Sequence, residues 1–587
     1  MSAEQKKKLD IALLGRLLSW AKPYRSIFIL AAVLAVVLAP LAIVRPYLIN
    51  VMIDEYVFEF DIAGMNRILV LIIGALLLEV SLRYVFIYST NWLGQSVIRD
   101  LRTTVFKHII NLRLKYFDNT PIGTSTTRTI NDIETINTVF TQGVITIVAD
   151  VLMVVAVVII MLVTSWQLTL VCLSVLPLLI IATYIFKEKV KVAFQTVRNQ
   201  VSVMNAFLQE RISGMQVVQI FNAEEQEMTR FKEINRKYTQ ANLNSILYYA
   251  VFFPVVEIIS AMALGLMVWF GAREAMTGAG VTAGALVAFP IYLSMMFRPI
   301  RMLADKFNTL QMGLVASERV FNVLDDKSWI ENKGTIEAKK LKGKIHFEKV
   351  NFAYNLPDYI LKNISFDINP GETLAIVGST GSGKTTIINI LNRFYEIQSG
   401  TISIDDLDIK KYELASLRKR IAVVLQDVFL FSGSVYENIN LRDKSITREQ
   451  VVEAAKMIGA HRFIEKLPGG YDYEVMERGA TLSLGQRQLI SFVRALVFDP
   501  DILILDEATS SIDPETEAVI QYAIEKLIDK RTSIIIAHRL STIRHADNIM
   551  VMNQGQIMEF GPHEELLQVE NGHYRDLYEM QFSVVEE

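Results

Sequence analysis

Gly378-Ser379-Thr380-Gly381-Ser382-Gly383-Lys384-Thr385 has the residue types and spacing to hold a row of phosphates. Glycines let the backbone curl so that successive N–H groups point at phosphate oxygens. The apolar run Thr373–Val377 reads as a strand entering this loop, and Thr386–Phe394 reads as a helix leaving it. A helix start adds the positive end of its dipole, where phosphate is stabilised. Lys384 then reaches the β- and γ-phosphates, the Thr385 hydroxyl faces Mg²⁺, and Thr386 opens the helix. Hydrolysis also needs a carboxylate to hold the metal and a group to prepare water. Ile502-Leu503-Ile504-Leu505-Asp506-Glu507 supplies both, as two acids at the end of a buried strand. Asp506 is the expected Mg²⁺ holder, and Glu507 the group that orients or deprotonates the attacking water. A third element is Leu482-Ser483-Leu484-Gly485-Gln486 before a helical run, Arg487–Val497. Ser483 and Gln486 have capping-box spacing, and Gly485 permits close approach. Such boxes cap many helices, so the spacing alone assigns no ligand.

These residues need a frame, and the chain supplies two. Beyond Ile345 short apolar strands alternate with helical segments, the pattern of an α/β domain. Before about residue 320 come six apolar stretches: Ile27–Ile49, Ile68–Tyr88, Val144–Val163, Leu168–Phe186, Val251–Phe270 and Ala283–Met296. Crossing a bilayer takes roughly 20 helical residues. Pro290 and Pro299 interrupt the last stretch and make it the weakest. The expected division is a membrane domain over 1–320, a charged linker over 321–344 and a nucleotide domain over 345–587.

The connections about Asn91–Gln142 and Lys187–Tyr248 are long and rich in Lys and Arg, and read as helices prolonging the spans. The first short connection carries Asp54, Glu55, Glu59 and Asp61. Positive charge marks the cytosolic side, which puts both termini and both long connections there. Ile11–Trp20 has helical apolar spacing and reads as an amphipathic helix on the membrane surface.

Composition agrees with a mixed chain. It has 587 residues, 51% of them hydrophobic, and a mean hydropathy of +0.32. A net charge of −3 offers no basic surplus for nucleic acid. The single cysteine, Cys172, excludes an internal disulfide and cysteine-ligand zinc motifs, and reads as a packing residue.

Taken together, the motifs resemble the ATP-binding cassette (ABC) transporter family in its exporter arrangement, over nearly the whole chain. Ser483, Gly485 and Gln486 are similar to that family's signature, which completes the ATP site of a partner chain. The resemblance implies that Tyr354 stacks on adenine and that Gln426 touches Mg²⁺. It implies that Asp513, after Ser510-Ser511-Ile512, speaks to the partner's site. It also implies that His538 contacts the γ-phosphate and that Glu477 faces the intracellular helices. Short coupling helices are expected near Asn119–Gly123 and Ser213–Phe221. The expected protein is a multi-pass half-transporter of the bacterial inner membrane. It uses ATP and Mg²⁺ and pairs with a second half-transporter, identical or different. It acts on a hydrophobic or amphipathic compound, drug or lipid, by alternating access. An exporter-fold importer and an ATP-gated channel stay open as alternatives. The chain departs from the family pattern at Leu484 and Met476, where glycine is usual; altered signatures are frequent in asymmetric pairs.

Charges within spans are costly and face protein or water. Glu79 and Arg83 are spaced to pair on one helix face, while Asp150 and Glu257 lie near cytosolic span ends. These four are candidates to line a substrate cavity; the alternative is pairing that fixes packing. Phe252, Phe253, Tyr292 and Phe297 read either as an apolar pocket or as packing.

Overall fold

The structure, a computed structural model, describes residues 10–277, 281–330, 332–506, 514–537 and 543–582. Two compact units emerge: residues 1–110 with 121–327, and residues 111–120 with 328–587.

The first unit is helical. Its helices are α1 (Ile11–Ser19), α2 (Arg25–Val51) and α3 (Ile62–Ile109). In the second unit lies α4 (Leu114–Asn119), after which the first resumes with α5 (Ile122–Thr127), α6 (Ile133–Thr138), α7 (Val144–Thr164) and α8 (Trp166–Leu173). It continues with α9 (Leu176–Ser213), α10 (Met215–Ile220), α11 (Glu224–Thr277) and α12 (Ala283–Asp325). Among the described residues, six helical segments are long and apolar enough to cross a membrane. They exceed the lengths expected from hydropathy because they run on through the charged connections. The last is not broken by its prolines: α12 passes Pro290 and Pro299 without interruption. Membrane-type helices tolerate proline where neighbours satisfy the freed carbonyls. Only 11% of the most apolar window of α3 is buried within the chain. Its exposed Val70, Leu71 and Leu77 therefore face a medium as apolar as they are.

Helix α1 forms where the spacing predicts it, with the Asp10 carboxylate accepting from the Leu13 N–H at 3.0 Å. Leu17 is fully buried, and Arg16 donates twice to Asp325 at the end of α12, both at 2.7 Å. The guanidinium also lies 4.3 Å over the Phe321 ring.

The second unit holds two sheets. One is antiparallel, in the order β2 (Leu361–Ile368), β1 (Ile345–Phe352), β4 (Ser399–Ile404), β5 (Leu407–Asp408). β6 (Ile421–Val424) belongs to the larger sheet, and β7 (Gly433–Ser434) pairs with β8 (Glu474–Val475). The larger sheet runs β12 (Gln556–Gly561), β11 (Asn548–Asn553), β3 (Thr373–Gly378), β10 (Thr532–Ile536), β9 (Ile502–Asp506), β6. Its five strands other than β12 run parallel to one another, and β12 lies antiparallel to β11. Strands buried on both faces need continuous apolar runs, which is why β3, β9 and β10 read Leu-Ala-Ile-Val, Ile-Leu-Ile-Leu and Ile-Ile-Ile.

Candidate nucleotide site

Open parallel sheets bind ligands outside the carboxyl ends of their strands. Ile536 of β10 pairs with Ile376 of β3 on one side and Asp506 of β9 on the other. At about 4.8 Å per strand, Asp506 stands roughly 10 Å across the sheet from Ile376, at the same edge. Gly378 closes β3 at that edge, and the helix Lys384–Leu391 starts after the loop, two residues earlier than the sequence suggested.

The glycines meet their expected demand. Gly381 and Gly383 have φ of +83° and +105°, where a side chain is strained. At Gly378 (φ +148°) a Cβ would fall on the Met552 carbonyl. Lys384 is 8% exposed, and its ammonium donates to the Gly378 and Ser379 carbonyls at 2.8 and 3.0 Å. Burial pushes this ammonium below its ordinary pKa, and the Asp506 carboxylate opposes that shift. Ser382 is 2% exposed, and among the described residues its buried hydroxyl has no hydrogen-bond partner. An unmade bond on a buried hydroxyl is costly, so a phosphate oxygen there suits the cradle. Thr385 is exposed at the start of the helix, and Thr386 is buried behind it.

Gln426 emerges exposed just after β6, the strand beside β9, where Val424 pairs with Leu505. Thr385, Gln426 and Asp506 are hard oxygen donors at the same edge of the sheet, the donor type that Mg²⁺ prefers. Tyr354 follows β1. Its hydroxyl lies 3.3 Å from Thr386 Oγ1 and accepts from Asn389 Nδ2 at 3.1 Å. Asn389 was not foreseen; nothing in the sequence marks it beyond its place on the helix after the loop.

Ser483, Gly485 and Gln486 form a separate helix start, on the helix Leu484–Val497. The Ser483 hydroxyl accepts from the Gln486 N–H at 3.2 Å, and Gln486 Oε1 accepts from the Ser483 N–H at 3.0 Å. Both bonds of the capping box are made, and Ser483 is exposed. Among the described residues no hydrogen bond joins this start to the phosphate loop. Glu507, Asp513 and His538 lie outside the described residues.

The intramembrane charges mostly find partners. Arg83 donates to Glu79 at 3.0 Å along α3. Asp150 of α7 pairs with Lys306 of α12, a partner the sequence did not suggest because 156 residues separate them. Glu257 is exposed on α11. Phe252 stacks on Phe186 at 3.8 Å, and Tyr292 and Phe297 are buried in the helical core. Those aromatic rings pack helices together.

The family model for the ABC transporter transmembrane region matches residues 28–300, and the ABC transporter model matches residues 361–510. The chain is 41% identical, over 98% of its length and 96% of the relative's, to the uncharacterized ABC transporter ATP-binding protein YknV of Bacillus subtilis. It is 37% identical to the probable multidrug resistance ABC transporter ATP-binding/permease protein YheH of that organism, over 92% of this chain and 80% of the relative. It is also 37% identical to the ATP-dependent lipid A-core flippase of Desulfotalea psychrophila, over 95% of this chain and 97% of the relative.

Proposed function

Because the chain belongs to the ABC transporter family, as a multi-pass membrane ATPase of half-transporter architecture, we propose that it exports a hydrophobic or amphipathic compound, drug or lipid. The observation that carries this reading is the joining, in one chain, of six membrane-length helices to one phosphate-binding sheet. The relatives named as a multidrug protein and a lipid A-core flippase support that substrate class. Both termini lie in the cytosol of a bacterial cell with the protein in its inner membrane, a topology supported by the basic long connections.

Each nucleotide is held by the Gly378–Thr385 loop, with Tyr354 stacked on the base. Thr385, Gln426 and Asp506 would hold Mg²⁺, which would supply neutralisation of charge on the phosphates. Glu507 orients a water and takes its proton as the new P–O bond forms. The bond from the γ-phosphorus to the bridging oxygen breaks, and ADP and phosphate leave. His538 steadies the γ-phosphate. Ser483 and Gly485 of one chain close over the loop of its partner, and Asp513 borders that interface. Closure opens the membrane half outward, and hydrolysis resets it.

The test is ATP-driven movement of a fluorescent drug or lipid in proteoliposomes of the purified chain. Concentrative transport that stops in Glu507→Gln is the expected result. Passive ion conductance without accumulation overturns export in favour of the channel, and uptake against the expected direction makes the chain an importer. Leu484 favours a second reading of the partner: a different half-transporter, with this chain carrying the competent loop.

A further inference from the structure

The second unit contains a piece of chain that belongs, by sequence, between the second and third spans. Helix α4 lies within this unit, and its Lys115 meets Tyr354 while its Asp118 meets Tyr395. Lys115 Nζ donates to the Tyr354 carbonyl at 2.9 Å. Asp118 accepts a hydrogen bond from the Tyr395 hydroxyl. The Tyr395 ring stands at 90° to Tyr354, 4.9 Å between centroids, and also packs edgewise on Phe352. Tyr395 is 8% exposed, and burial, reinforced by Asp118, raises the phenol's pKa, so it remains a donor.

Tyr354 is also held from the strand it follows, where the Phe352 ring packs edgewise on it at 4.9 Å and 85°. Gln398 occupies both backbone groups of Ala353, at 2.8 Å each, so the neighbouring peptide is clamped. The free edge of the Tyr354 ring is set by Tyr395, its carbonyl by Lys115, and its hydroxyl by Asn389 and Thr386. The start of α4 is itself held, because Arg113 donates through its backbone and Nε to the Ser328 and Trp329 carbonyls at 2.8 and 2.7 Å.

We infer that Lys115, Asp118 and Tyr395 are positioning residues for the nucleotide base, setting the Tyr354 ring from α4. The inference rests on Tyr354 being the adenine shelf. Aromatic edge-to-face packing fixes ring tilt, and a stacked base reads tilt directly. By linkage, whatever shifts α4 changes affinity for the base, and base binding biases α4 by the same free energy. A ligand without a base is blind to this route. Inorganic tripolyphosphate with Mg²⁺ occupies the phosphate loop alone and supplies that comparison.

The experiment measures binding of MgATP and of magnesium tripolyphosphate to the full chain in detergent. The variants are Lys115→Met, Lys115→Arg, Asp118→Asn, Tyr395→Phe and, as a control, Tyr354→Ala. Lys115→Met and Tyr395→Phe are expected to weaken ATP about fivefold, the loss of roughly one hydrogen bond, with tripolyphosphate unchanged. Lys115→Arg restores most of the ATP affinity. Equal weakening of both ligands means general damage and overturns the inference. So does unchanged ATP affinity in variants whose Tyr354→Ala control does lose ATP selectively. If Tyr354→Ala binds both ligands as the wild type does, the shelf reading fails first, and the inference with it.

Discussion

Glu507 is the next residue after Asp506, and in the proposed reaction the two acids divide metal holding from water activation. Removing the base alone should spare binding. Glu507→Gln is expected to keep ATP affinity while turnover falls by about 10²–10⁴-fold, the usual worth of a general base. Paired nucleotide-binding and phosphate-release assays check this, and wild-type turnover would remove Glu507 from its role. Gly383 offers a second test at this scale. A Cβ there would sit 2.7 Å from Leu361 Cδ2, at a φ of +105°. Gly383→Ala is expected to cost about 1–3 kcal/mol of local strain, read as weaker MgATP binding. This loop was legible in advance because its chemistry is contiguous: strand, turn and helix start follow one another in sequence. Tyr395 was not, because the groups that give it a role, Asp118 and Tyr354, come from other segments.

Ser483 caps the helix Leu484–Val497 and, in the proposed dimer, faces the partner's nucleotide. Two substitutions separate those duties. Ser483→Ala should lower stability by about 1 kcal/mol through the lost cap. Ser483→Asp keeps a capping oxygen but sets a negative charge toward phosphate. Its thermal unfolding should stay near that of wild type while ATPase activity collapses; full activity would leave Ser483 as a cap only. Among the membrane helices, Asp150 and Lys306 join α7 to α12. Neutralising either alone should destabilise by roughly 1–4 kcal/mol, and neutralising both by less, since an unpaired charge costs more than no pair. Thermal unfolding in detergent over this double-mutant cycle gives the coupling. Unchanged stability with altered substrate-stimulated ATPase would instead place Asp150 in the substrate path. Hydropathy located these helices but underestimated their lengths, because it falls where charged residues begin although helical hydrogen bonding continues. The prolines of α12 made it the weakest of the six in sequence because propensity penalises Pro290 and Pro299, yet the helix runs through both.

At the scale of the whole molecule, half-transporter architecture implies pairing with a second half-transporter. Expression of this chain alone, followed by mass measurement and ATPase assay, decides which. An active dimer makes it self-sufficient, whereas an inactive chain indicates a different partner. The six-span plan and the nucleotide fold were readable from periodicity and motif, but the links that tie distant segments together were not. One of those links bears on how the protein is made. Asp150 and Lys306 lie 156 residues apart. At about 5–20 residues per second, the ribosome delivers the lysine roughly 8–31 s after the aspartate. During that interval the third span holds a carboxylate whose counter-ion has not been synthesised. The contact between the third and sixth spans that this pair makes can therefore form only after the sixth has been synthesised, which makes it a late step of assembly.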